Sequence, residues 1–211
     1  MSTIHVARQP IFELGRGLFG YELLYRRDSS ADRADSDHGS MSAEVIANSL
    51  LGLGLRNLSG GGLAFVNFSR GQLLNESWEL FDPKDVVIEL LESVECDYET
   101  LAAATRMVKA GYRLALDDYV PDARMRPLLD LASIVKIDVL NRPHPELRAV
   151  TTELRTSSAR LLAERVETAT TRNMCADIGY ELFQGYLFSK PVAFGDLLLQ
   201  VLPESERQAV A

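Results

Sequence analysis

The sequence is short of the residues that anchor thiol, soft-metal and imidazole chemistry. Its two cysteines, Cys96 and Cys175, show no CxxC spacing, which excludes a zinc ribbon and a disulfide framework. Three histidines, His5, His38 and His144, are scattered, so histidine-based acid–base catalysis is disfavoured. There is no apolar run of about 18 residues and no signal-peptide pattern; a soluble, cytoplasmic chain without a membrane segment is expected. Positive charge is also in deficit. Lys and Arg total 22 against 30 Asp and Glu, a formal net charge of -8, which argues against binding long nucleic acid through its phosphates. What the chain does have is a globular balance, with 46% hydrophobic and 25% charged residues in 211. That is enough for one substantial core, and a single domain over residues 1–211 is expected.

Short apolar runs alternate with helix-like stretches. Strands are expected at His5–Phe12, Leu18–Arg26, Leu63–Ser69, Asp85–Glu92, Tyr112–Tyr119, Ile134–Leu140, Arg160–Val166 and Leu182–Ser189. Most are continuously apolar, as strands covered on both faces should be. Helices are expected at Ser42–Gly54, Tyr98–Gly111, His144–Arg155 and Thr168–Gly179, with a polar surface loop over Arg26–Ser42. The alternation reads as an α/β fold, a TIM-like (β/α)8 barrel. One connection departs from it. Only "ELGRG" separates the first two strands, a hairpin length too short for a parallel crossover, so the first strand should run antiparallel. "FGDLLLQVLPESE" reads as a C-terminal amphipathic helix at about 194–203, which either packs on the barrel or joins two subunits as a homodimer.

Barrels of this kind carry their chemistry at the C-terminal ends of the strands. Those ends present, in order, Glu22, Asn67, Glu89, Asp117 with Asp118, Lys136, Glu164 and Gln184. So many carboxylates together are costly without compensating cations. The donors are hard oxygens, which suit Mg²⁺ or Mn²⁺ and are poor for zinc. Adjacent aspartates can serve two ions, one residue bridging, and a two-metal centre is a common device for in-line attack at phosphorus. Lys136 would add positive charge beside the attacking water or the phosphate. Arg26, four residues after Glu22, can meet a phosphate through its planar fork.

These residues resemble the EAL domains, a bacterial signalling family that hydrolyses cyclic di-GMP to linear pGpG. The likeness runs from roughly Ile4 to Leu199. "QPIF" resembles the family's opening strand, and "YELLYR" its Glu-Ala-Leu-x-Arg, with Leu23 in place of alanine. "VNFS" resembles Asn-Leu-Ser, and "IELLES" resembles Glu-x-Thr-Glu-Ser with Leu91 in place of threonine. "LDDY", "VKID", "AERVET" and "FQGYLFSKP" resemble the paired aspartates, the lysine strand, Ala-Glu-Gly-Val-Glu-Thr and the closing strand. The resemblance implies that Glu22, Asn67, Glu89 and Asp117 hold one metal. Asp117, Asp118 and Glu164 would hold or orient a second and its water. Lys136 would assist that water and Gln184 would position water or substrate, while Glu92 and Glu167 support the site. Arg26, Leu24 and Gln9 would face the substrate, and two Mg²⁺ or Mn²⁺ ions would be the cofactors.

Three departures from the family pattern stand out. After the paired aspartates the family usually has a glycine loop; here "DDYVPDARMRP" has no glycine and two prolines, Pro121 and Pro127, which stiffen the backbone. This bears on loop closure, on the dimer contact and on the level of activity. The tryptophan usual after Arg26 is missing, and Arg165 replaces a glycine beside Glu164. The pattern is nearest to EAL domains fused to an HDOD domain, so a missing HDOD domain or a separate protein partner is expected. Two functions stay open at this point: a cyclic di-GMP phosphodiesterase, its activity reduced by the altered loop, or a non-catalytic receptor or protein-interaction regulator.

Overall fold

A computed structural model describes residues 2–15, 17–27 and 55–199, excepting the side chains of 2–5, 25–27, 57 and 194–199. β1 (Ser2–Glu13) and β2 (Leu18–Arg27) form the expected antiparallel hairpin, with Glu13 N–H donating to Gly17 C=O at 2.8 Å. β3 (Leu63–Phe68), β4 (Val86–Leu90), β5 (Arg113–Leu116), β6 (Ile134–Asp138), β7 (Arg160–Glu164) and β8 (Leu182–Phe183) then add in parallel, in chain order. β8 returns to β1 through Phe12↔Phe183 and Glu13↔Leu182, which closes the barrel. β1 is thus antiparallel to both of its barrel neighbours.

Helices fill the crossovers where the sequence provides caps. Asp97 and Thr168 accept from the backbone N–H of Thr100 and Thr171, opening the helices Tyr98–Lys109 and Ala169–Ile178. Gly179, at φ 110°, ends the latter in a left-handed cap. Ala103, Met107, Leu147, Leu154, Cys175 and Ile178 from three crossover helices pack in one cluster with Ile88, Leu116, Val135 and Ala163 of the sheet. A separate apolar layer is formed by Ile11, Phe65, Val87, Ala115, Ile134, Leu162 and Leu182, each at most 2% exposed. Because alternate residues of a strand share a face, the residues two positions on from this layer share its side of the sheet. They are Asn67, Glu89, Asp117, Lys136, Glu164 and Gln184. On antiparallel β1 the same step runs backward, from Ile11 to Gln9. A dry layer therefore lies beneath a polar one.

Three expectations are corrected or fall outside the described residues. The C-terminal helix at about 194–203 does not form over its described part: Val192–Leu199 is β9, antiparallel to Ser2–Arg8 of β1. β8 pairs with β1 only at Phe12 and Glu13, leaving the rest of that edge with unpaired N–H and C=O groups that β9 satisfies. The last barrel strand, expected to reach Ser189, stops at Phe183. Beyond it Gly185 takes φ 149° against the Val166 backbone, where an added Cβ would lie 2.2 Å from Val166 N. The helix Ser42–Gly54, the loop after Arg27 and residues from 200 onward lie outside the described residues. No described helix is long and apolar enough to cross a membrane.

Candidate functional site

The polar layer gathers around one ammonium group. Lys136, 1% exposed, places Nζ 2.8 Å from Asp117 Oδ1, 2.8 Å from Glu164 Oε1 and 3.5 Å from Glu22 Oε2. It also contacts Glu89 Oε1, whose side chain is wholly buried. Four carboxylates from β2, β4, β7 and the end of β5 thus share one lysine from β6. With all of them ionised, three negative charges would remain without a counter-charge from that lysine. Buried charge of this kind is either protonated or matched by added cations.

The ionisation states follow from that imbalance. Burial pushes Glu89 well above the usual carboxylate range, and Lys136 offsets this only in part. Burial likewise pushes Glu164 up to about 8, again against the pull of Lys136. For Asp117 burial also opposes ionisation, but the charge and hydrogen bond of Lys136 prevail and hold it below the usual range. Burial would lower Lys136, yet Glu164, Glu22, Glu89 and Asp117 together raise it well above an ordinary lysine. Asp118, raised by burial and by neighbouring Asp117, has φ 40°, a left-handed backbone for a non-glycine residue.

A second line of contacts joins β8 to the hairpin. Gln184 Nε2 donates to Glu22 Oε2 at 2.5 Å and to Gln9 Oε1 at 3.0 Å, while Gln9 Nε2 donates to Ser189 C=O at 3.0 Å. Gln9 and Glu22 are register partners across β1 and β2, so one amide fixes both. Asn67 and Glu89 are partners in the same way across β3 and β4. Buried oxygen atoms are left without a hydrogen-bond partner: Asn67 Oδ1, Glu89 Oε2, Glu164 Oε2 and Gln184 Oε1. Glu92, Asp117 and Asp118 also place carboxylate oxygens within 4.8 Å of one another. Unpartnered hard oxygens in an acidic, buried group fit a divalent cation such as Mg²⁺ or Mn²⁺.

Two cavities open here. One of about 340 Å³ is lined by Gln9, Glu22, Leu24, Glu164, Arg165 and Tyr186, among others. A larger one of about 560 Å³ lies between the chain after β4 and the loop after β5, against Glu92, Asp117, Asp118, Tyr119, Pro121 and Arg124. The expected site residues divide as follows. Glu22, Glu89, Asp117, Glu164 and Gln184 are drawn together around Lys136 or Glu22. Glu92 joins Asp117 and Asp118 at the rim, and Glu167, an exposed residue, lines the smaller cavity. Arg26 belongs to β2 by its backbone, but its side chain lies outside the described residues. Arg165, Asp138 and Tyr186 were not among the expected site residues. Arg165 and Tyr186 line the cavity, and Asp138 pairs with Arg165. Asp138 and Tyr186 carry no sequence signal beyond lying two residues after Lys136 and Gln184, whereas Arg165 stands out by replacing a glycine beside Glu164.

No protein-family model matches the chain. Over 193 residues it is 33% identical to YuxH of Bacillus subtilis, an uncharacterised protein, covering 89% of this chain and 47% of that one. Over 198 residues it is 32% identical to the cyclic di-GMP phosphodiesterase CdgJ of Vibrio cholerae, covering 90% of this chain and 45% of the relative. The chain therefore spans about half the length of these curated relatives. Among solved structures, Bacillus subtilis YkuI, a protein with an EAL domain in complex with cyclic di-GMP and calcium, superposes with a TM-score of 0.72. It is 20% identical, over 97% of this chain and 60% of that one. Klebsiella pneumoniae BlrP1, in a complex with manganese and cyclic di-GMP, gives a TM-score of 0.69 at 23% identity, over 92% and 58%.

Proposed function

The chain carries an EAL-type barrel domain, and on that premise we propose that its polar layer is a metal-dependent phosphodiesterase site that hydrolyses cyclic di-GMP to linear pGpG. One observation supports this most. Glu22, Glu89, Asp117 and Glu164 converge on Lys136 while buried oxygens of Asn67, Glu89 and Glu164 stay unpartnered. A purely structural ion cluster would leave fewer orphan acceptors.

In this reading Glu22, Asn67, Glu89 and Asp117 hold one divalent ion, and Asp117, Asp118 and Glu164 a second. Such ions, when bound, make water a stronger nucleophile and stabilise charge on the attacking and leaving oxygens. The protein supplies the rest. Lys136 keeps the acids within reach of one another and carries a fixed positive charge that the attacked phosphate can meet. Gln184 orients Glu22 through Nε2, and its unpartnered Oε1 can accept a hydrogen bond from water or substrate. Gln9, Leu24 and Arg26 bind the dinucleotide, and Glu92 and Glu167 support the rim. A single domain, a cytoplasmic setting, a homodimer and a further HDOD or partner protein belong to the same proposal.

A receptor function is favoured by one feature, the proline-containing loop after Asp118, where Tyr119 is 5% exposed and its N–H donates to Lys136 C=O at 2.9 Å. A loop anchored in this way has less freedom to close. Incubation of the purified chain with cyclic di-GMP and Mg²⁺ or Mn²⁺ separates the two functions. Linear pGpG above a Glu22→Ala control supports the hydrolase. Tight binding without product supports the receptor, and absence of both excludes each.

A further inference from the structure

Arg165 follows Glu164 at the end of β7 with φ 56°, in the left-handed region that disfavours any residue bearing a Cβ. Its guanidinium Nη1 meets Asp138 Oδ2 at 2.6 Å, yet the side chain remains 60% exposed. An ion pair in that much water contributes little to stability, so it does not offset the backbone strain. Strain retained at the mouth of a cavity points toward function.

The charges around it say which function. The smaller cavity is lined by Glu22, Glu164 and Glu167, and among the described residues that line it Arg165 is the only cation. Glu22 and Glu164 share Lys136 with Glu89 and Asp117, so a phosphate diester entering this space gains from a further cation. Asp138 engages Nη1 of a fork that carries five N–H donors, so donors remain for phosphate oxygens. We propose that Arg165 is a substrate-binding residue that ion-pairs with a phosphate of the dinucleotide in the cavity beside Glu164. This rests on the phosphodiesterase reading above.

The test compares the unmodified chain with Arg165→Gly and Arg165→Lys, using cyclic di-GMP with Mn²⁺ and thermal melts of each protein. Arg165→Gly should raise KM by about tenfold, change kcat less than about twofold, and leave the melting temperature unchanged or higher, because glycine relieves the strained φ. Arg165→Lys should recover part of the affinity, since it restores charge without the fork. An unchanged KM in Arg165→Gly, or a KM change that only follows a lower melting temperature, overturns the inference and leaves the phosphodiesterase reading intact. Failure of the unmodified chain to bind or cleave cyclic di-GMP overturns both.

Discussion

The same strands build two layers that differ in almost every physical respect. The lower layer, from Ile11 through Phe65, Val87, Ala115, Ile134 and Leu162 to Leu182, is apolar and almost fully buried. The upper, two residues further along and joined by Glu22 of β2, crowds four carboxylates around Lys136. The first is stable because it excludes water from close-packed side chains. The second rests on the first, and burial raises the pKa of Glu89 and Glu164, which disfavours adding their negative charge to the cluster. Stability and chemistry are thus separated by one pleat. Apart from Lys136, on which the acids depend, substitutions on either side of it should have opposite signatures.

The largest effect should come from Lys136→Met. Removing the shared ammonium leaves four acids facing one another and should cost about 3–5 kcal/mol in the metal-free protein, with hydrolysis abolished. Urea denaturation checks the first outcome; a stability loss under about 1 kcal/mol would mean the acids do not depend on that lysine. Next, Leu162→Ala should cost about 2–5 kcal/mol while sparing kcat in the fraction that folds. Glu164→Gln, two residues on, should do the reverse, slowing turnover by about 10²–10⁴-fold without loss of stability.

Glu164 also sets a pH dependence. Its folded pKa of about 8 lies above its ordinary value near 4.5, so the folded state binds the proton more tightly than the unfolded chain. The stability it contributes is full below about pH 4.5 and is lost as pH rises toward about 8. Metal-free melting temperatures should fall across that window, and Glu164→Gln should flatten the decline. A profile equally steep in the variant would contradict the assignment.

Gly185→Ala probes the backbone packing just beyond the polar layer. Its Cβ would lie 2.2 Å from Val166 N, so the chain after β8 must move and carry Gln184 with it. A loss of about 1–3 kcal/mol is expected, with weaker nucleotide binding seen by calorimetry. The smallest effect belongs to Thr168→Ala, which removes the cap accepting from Thr171 N–H at 3.1 Å. About 1 kcal/mol should be lost, visible as a lower melting temperature with KM unchanged, and a KM shift would link this helix to the site.

Much of this is legible in the sequence. Period-two alternation marks which residues share a face, so Phe65 with Asn67, or Leu162 with Glu164, can be paired by counting. The hairpin follows from the five residues between the first two strands. The C-terminal segment reads as a helix in isolation because "DLLLQVL" fits a helical stripe. What pulls Val192–Leu199 into a strand is an open edge of β1, almost two hundred residues earlier in the chain. Arg165 was visible as a substitution, but its strained backbone and its place in the cavity were not.

Local chemistry, then, was enough to specify the barrel, its reversed first strand and the acidic ends of its strands, because pleat period and loop length act over a few residues. Ring closure settled the remainder. Bringing β8 back to β1 turns a row of strand ends into a cluster, and in doing so puts one lysine among four acids, one amide between Gln9 and Glu22, and one arginine in a cavity of negative charge. Such long-range juxtaposition depends on the curvature of the whole sheet, which no single segment encodes.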